Sequence, residues 1–299
     1  MEAIGPDDPV GIIGMGVMGS AMAARLLAAG HPLRVHTRTR KKAEPLLEKG
    51  AVWKSDAAAL AASARVVITM LGFPEDVESV YFGDRGVLTG ASPGTLVVDM
   101  TTSRPSLAKR IYDEAGRRGL GVLDAPVSGG DIGAREGKLS IMVGGDAEDF
   151  EAALPVLRLL GARIVLQGGA GSGQRVKLCN QIAVFGNTLG ACESLAFAVR
   201  AGLDPAKVLE SIGAGAASSW ALTNLAPRVL AGNFAPGFFV RHFLKDIGMA
   251  LEEAELMQLS TPGLTLAREL YSMLVKVGLG DKGTQALYLL FNPPPRPLP

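Results

Sequence analysis

The chain of 299 residues carries 30 Lys and Arg against 29 Asp and Glu, a formal net charge of +1, with 20% of its residues charged and 48% hydrophobic. That length suits one or two domains with a sizeable core, and the near balance of charge gives no electrostatic footing for nucleic acid or an anionic membrane surface. No apolar run reaches the ~20 residues of a membrane span, and the start MEAIGPDDP lacks the basic and apolar regions of a signal peptide, so a cytoplasmic protein is expected.

In chain order, an apolar β-type run, Val10 to Ile13, enters Gly14-Met15-Gly16-Val17-Met18-Gly19, and a helix with apolar residues at Met22, Leu26 and Leu27 leaves it. This is GxGxxG between a strand and a helix, the setting a dinucleotide site needs. Gly14 makes the tight turn, Gly16 lets backbone approach a pyrophosphate, and Gly19 lets the helix pack on its strand. Unpaired N–H groups at the helix start then face the phosphates.

A strand at 33–36 follows, then helices at 41–49 and 56–62, a strand at 65–71 and a helix at 74–82. After these come a strand at 95–100, a helix at 106–118, strands at 121–124 and 139–143, a helix at 147–160 and a strand at 164–166. The continuous runs VVITML and TLVVDM suit strands buried on both faces, as in parallel sheets, and the alternation predicts a doubly wound α/β domain over 1–168. At the glycine-rich 168–173 the pattern changes. A linking helix is expected at about 174–200, roughly 40 Å long at ~1.5 Å per residue. An all-α domain then completes 169–299, with Asp204-Pro205 starting its next helix. The proline-rich end, 292–299, reads as a disordered tail. Cys179 and Cys192 lie in the linking helix, roughly 20 Å apart at ~1.5 Å per residue and so beyond a disulfide; both are expected to be buried thiols. His31, His36 and His242 show no ligand spacing, so no metal site is expected.

The end of the second strand bears on the cofactor. An NAD-specific site usually places a carboxylate there, but Thr37-Arg38-Thr39-Arg40-Lys41-Lys42 holds four cations and no acid. Guanidinium suits a 2′-phosphate, so NADP(H) is expected ahead of NAD(H), with Thr37, Arg38, Thr39 and Lys42 as its contacts. Further on, Asp124-Ala125-Pro126-Val127-Ser128-Gly129-Gly130 offers a hydroxyl and bare backbone N–H groups to a small carboxylate, although Ser and Gly are also ordinary turn residues. On the linking helix, Lys177, Asn180, Gln181 and Val184 fall at i, i+3, i+4 and i+7, on one face. A lysine there can protonate a carbonyl oxygen and an amide can orient it. Lys245-Asp246 sets a cation beside an anion in an apolar helix, as a cofactor contact or as a surface charge.

With these residues in hand, the chain resembles the β-hydroxyacid dehydrogenase family, which includes 3-hydroxyisobutyrate dehydrogenases and tartronate, glyoxylate or succinic semialdehyde reductases. The likeness runs from Val10 to about Leu287 through GMGVMG, DAPVSGG with the following MVGG, GSGQRVKLCNQ and FAPGFFVRHFLKD. It implies a Rossmann-like domain joined by a long helix to an all-α domain. Lys177 matches the family's catalytic lysine and Asn180 its assisting amide. Ser128, Gly129 and Gly130, with Gln181, match the substrate side, while Leu71, Thr102 and Lys245 match positions that line the cofactor. Thr37 to Thr39 look like the NADP-type members. Gln181 stands where many members have a second asparagine, and Gly72-Phe73 where many have Leu-Pro. The expected activity is NADP-linked interconversion of a small β-hydroxy or 2-hydroxy acid and its semialdehyde or oxo acid, by a homodimer or homotetramer. The alternatives are a dinucleotide-binding sensor without turnover and an imine reductase of the same fold.

Overall fold

The computed structural model describes residues 1–292, and the chain divides into two compact units, Met1–Lys177 and Leu178–Pro299. The first is built on one sheet. Its strands are β1 (Val10–Ile13), β2 (Leu33–His36), β3 (Val52–Trp53), β4 (Val66–Thr69), β5 (Leu96–Asp99), β6 (Gly121–Asp124), β7 (Val127–Ser128), β8 (Leu139–Gly145) and β9 (Gly161–Gly168). They lie in the order β3-β2-β1-β4-β5-β6-β8-β7, with β9 paired to β8. The first six are parallel to one another, whereas β8 runs antiparallel to β6 and β7 and parallel to β9. The first six strands therefore take the 3-2-1-4-5-6 order of a dinucleotide-binding sheet, which reverses between β1 and β4.

Burial explains the continuous apolar strands. Val66, Ile68, Leu96 and Val98 join the core on one face, and Val67 and Val97 the core on the other. A period-2 backbone covered by helices on both sides needs apolar residues at every position.

Local chemistry moves several predicted elements. The helix expected at 41–49 is a 3₁₀ turn, Arg40–Ala43, followed by a short α-helix, Glu44–Leu47, because Pro45 starts a new helix rather than continuing one. The strand expected at 164–166 is the eight-residue β9, largely exposed and therefore without an apolar signature. The short β3 and β7, and a helix at Gly130–Glu136, lie in stretches too brief or polar to show a period.

Helix Ser172–Arg200 leads from the first unit into the second. It holds an 18-residue window of mean hydropathy 1.5, long and apolar enough by length and composition to cross a membrane. This corrects the expectation that no run reaches that length, since an average tolerates the polar residues that interrupt an unbroken count. Its Leu178, Phe185, Cys192 and Leu195 enter the core of the second unit instead. There Phe243 meets Tyr271 edge-on at 4.9 Å between ring centroids, with Phe185 at 6.3 Å from the same ring. The described residues of this unit are helical between turns, with helices that include Pro205–Gly213, Val240–Leu256 and Pro262–Lys276. Cys192 is buried as expected, and burial pushes its thiol up to about 12. Cys179 is exposed, a correction: at about 100° per residue it points well away from the face that Leu178 and Phe185 share. Of the tail expected at 292–299, Asn292 is held, its backbone N–H donating to the Tyr288 carbonyl at 3.0 Å; 293–299 lie outside the described residues.

Candidate active site

The switch point of the sheet carries the glycine turn. Gly14 has φ +104°, and a Cβ there would collide with the Met70 carbonyl and reach within 3.0 Å of the Leu71 side chain. Only glycine takes that conformation easily, so the turn packs directly on the loop after β4. A Cβ on Gly19 would collide with the Gly14 carbonyl, while the space over Gly16 is open to 4 Å. Gly16 caps helix Val17–Ala28 without any side-chain hydrogen bond. An uncapped helix start with room above it suits an anion such as a pyrophosphate. Met15 is buried in the core, Met18 packs against that core, and Val17 is exposed. Beside the turn, Leu71 donates its backbone N–H to Thr101 Oγ1 at 2.9 Å, and Thr102 follows, half-buried.

After β2, Thr37 is half-buried, and Arg38, Thr39, Arg40, Lys41 and Lys42 are exposed. Arg38 is not a bare cation: its guanidinium meets Asp76 at 3.1 Å. Arg40 lies over the Trp53 ring at 5.6 Å. The local sequence holds four cations and no acid, but the fold brings Asp76 to Arg38 from the start of helix Pro74–Phe82.

Farther along the sheet, Asp99 and Asp124 end β5 and β6 and are register partners. Thr69 Oγ1 and the Thr101 N–H donate to Asp99 Oδ1 at 2.8 and 3.0 Å. Asp124 accepts the backbone N–H of Gly171 at 2.7 Å and of Gln174 at 2.8 Å. Burial raises the Asp124 carboxyl to about 6, with Asp99 adding to the rise, while these two amides draw it down. Ser128 ends β7, and Gly129 (φ +124°) turns the chain into helix Gly130–Glu136 without a side-chain cap.

Lys177 is the last residue of the first unit, one turn beyond Gln174 and buried to 6% exposure. In the second unit, Asn180 Nδ2 donates to Gln181 Oε1 at 2.7 Å. Gln181 Nε2 in turn donates to Asp246 Oδ2 at 2.5 Å, and Lys245 Nζ stands 3.1 Å from Asp246 Oδ1. Gln181 therefore links Asn180 to a carboxylate that is 1% exposed.

A family model described as the NAD binding domain of 6-phosphogluconate dehydrogenase matches residues 9–169. A second, NAD-binding of NADP-dependent 3-hydroxyisobutyrate dehydrogenase, matches residues 171–291. The chain belongs to the β-hydroxyacid dehydrogenase family. It is an NAD(P)-dependent hydroxyacid oxidoreductase. This dehydrogenase is 55% identical to an uncharacterised oxidoreductase of Bacillus subtilis, YkwC, over 94% of this chain and 98% of the relative. It is 40% identical to a 3-hydroxyisobutyrate dehydrogenase of Pseudomonas aeruginosa, over 93% and 98%. Among solved structures, Psf3 in complex with NADP+ and 2-OPP superposes with a TM-score of 0.88 at 30% identity, over 95% of this chain and all of the other.

Two acids of the dehydrogenase escape a reading by local motif. Asp246 was legible only as half of an adjacent ion pair, and its bond to Gln181 spans 65 positions. Asp124 looked like the end of a strand. The usable signal was its charge: a carboxylate closing an otherwise apolar strand is rarely buried without partners.

Proposed function

We propose that the enzyme interconverts a small β-hydroxy or 2-hydroxy acid and its semialdehyde or oxo acid, with NADP(H) preferred over NAD(H) and Lys177 as the general acid and base. The burial of Lys177 on a helix whose first turn is tied to the sheet carries this reading: a solvated charge would not be held so. When bound, the nicotinamide supplies or accepts the hydride. In reduction, the Lys177 ammonium gives its proton to the substrate oxygen as negative charge develops there, and takes one back in oxidation. Asn180 orients the reacting oxygen, with Gln181 bracing it. Ser128 and the backbone of Gly129 and Gly130 hold the substrate carboxylate. Gly14 to Gly19, with Leu71, Thr102 and Lys245, hold the dinucleotide.

The NADP preference rests on Thr37, Arg38, Thr39 and Lys42, and the description of the second family model supports it. The protein acts in the cytoplasm, where the exposed Cys179 thiol stays reduced. It assembles as a homodimer or homotetramer through apolar side chains of the second unit such as Phe197, 73% exposed, and Leu256, 79% exposed; light scattering at micromolar concentration would read a monomer if this is wrong.

The test is NADPH oxidation with glyoxylate, succinic, methylmalonate and tartronate semialdehydes, alongside Lys177→Ala. Turnover with one of them, lowered ~10²- to 10⁴-fold by the substitution at nearly unchanged NADPH affinity, supports the proposal. Cofactor binding with no turnover across hydroxy acids and semialdehydes would instead mark a sensor.

A further inference from the structure

The first turn of helix Ser172–Arg200 is fastened unusually firmly to the sheet. Helices begin with N–H groups that have no intrahelical acceptor, usually met by a side chain just before the helix. Here the acceptor comes from another strand, since Asp124 takes the N–H groups of Gly171 and Gln174, one on each carboxylate oxygen. The Gln174 side chain makes a second tie. Its Oε1 accepts the Ser103 N–H at 2.8 Å and its Nε2 donates to the Thr101 carbonyl at 2.7 Å, so it binds the segment that follows β5. Asp124 is 4% exposed and Gln174 fully buried. The fit leaves no slack: a Cβ on Gly173 would come within 2.5 Å of the Asp124 carbonyl, and one on Gly144 within 2.5 Å of the Asp124 carboxylate.

Lys177 follows Gln174 by three residues, about 4.5 Å along the axis at ~1.5 Å per residue. Neither Asp124 nor Gln174 is needed to start a helix in this place; a serine or aspartate before it would cap it locally. What the cross-strand arrangement adds is a fixed position relative to the ends of β5 and β6. We propose that Asp124 and Gln174 are positioning residues for the reaction, clamping the first helical turn to the sheet so that the Lys177 amine is held where proton transfer needs it. This rests on the reading of Lys177 as proton donor. A misplacement of about 1 Å is enough to lower turnover ~10²-fold.

Asp124→Asn keeps the size but turns an amide NH₂ toward one of the helix N–H groups. Gln174→Ala removes the second tie and leaves the first, and serves if the Asn variant does not fold. With NADPH and whichever of the four panel substrates the wild type reduces fastest, each variant is expected to lose ~10- to 100-fold in kcat. KM and NADPH affinity should stay within about threefold. Amide hydrogen exchange should quicken in 171–178. Added to Lys177→Ala, either change should lower turnover no further, because both act through the same amine. Full kcat in Asp124→Asn and Gln174→Ala, with Lys177→Ala inactive, overturns the clamp alone. An equal further loss in the Lys177→Ala background overturns it too, since the effect would then bypass the lysine. Full kcat in Lys177→Ala sinks the proton-donor reading itself.

Discussion

Two of the helices that start at the carboxyl ends of the parallel strands are finished in opposite ways. Val17–Ala28 begins at Gly16 with no side-chain cap and open space above it. Ser172–Arg200 begins with the Gln174 N–H, and that of Gly171 just before the helix, taken by a buried carboxylate, and with its first turn wedged against backbone. Both starts carry the same partial positive charge. The difference lies in what satisfies it: the first leaves its donors for an anionic ligand, while the second uses an internal anion and serves to hold a side chain in place. A helix start that is filled from within is thus informative about positioning, as an empty one is about binding.

The sharpest way to break this contrast is to close the open start. Gly16→Val fills the space over the turn and is expected to weaken NADPH about 100-fold, roughly 2.7 kcal/mol, with little change in Tm. Calorimetric titration would check it, and wild-type affinity would mean that the space is not where the dinucleotide lies.

A second test concerns the filled start. The Asp124 carboxyl is raised from 3.8 to about 6 in the folded protein, so the folded state holds the proton more tightly than the unfolded one. Stability from this group is therefore fully present below pH 4 and is lost as the pH rises through 6. Relative to Asp124→Asn, the wild type should gain on the order of 1–3 kcal/mol between pH 7 and pH 4, read from urea unfolding at each pH. A constant difference would mean that Asp124 is not the buried acid described.

The smallest effect belongs to Arg38. Its partner Asp76 competes with a 2′-phosphate for the same guanidinium. Asp76→Asn should tighten NADPH about threefold, within the ~1 kcal/mol of an exposed ion pair, and leave NADH alone. An equal change for both cofactors would remove Arg38 from the 2′-phosphate site.

These contrasts also mark what the sequence could reveal. The open start was legible because everything it needs is contiguous: a strand, three glycines at fixed spacing and a helix. The parallel sheet was legible from VVITML and TLVVDM, since burial on both faces forces unbroken apolar runs. The clamp was hidden because its two ends, Asp124 and Gln174, are 50 positions apart and each looks ordinary in its own segment. Asp76 was hidden for the same reason, as four nearby cations say nothing of an acid delivered by another helix. The short β3 and β7 left no trace because two residues cannot display a period.

Lys177→Arg tests most directly whether Lys177 acts as an acid rather than as a charge. Arginine keeps the positive charge but gives up its proton far too reluctantly to serve. Single-turnover NADPH oxidation by this variant, at saturating substrate and wild-type cofactor affinity, is predicted to stay ~10²-fold or more below wild type. Recovery of most of the wild-type rate would contradict the account and leave Lys177 as a binder of the substrate carboxylate.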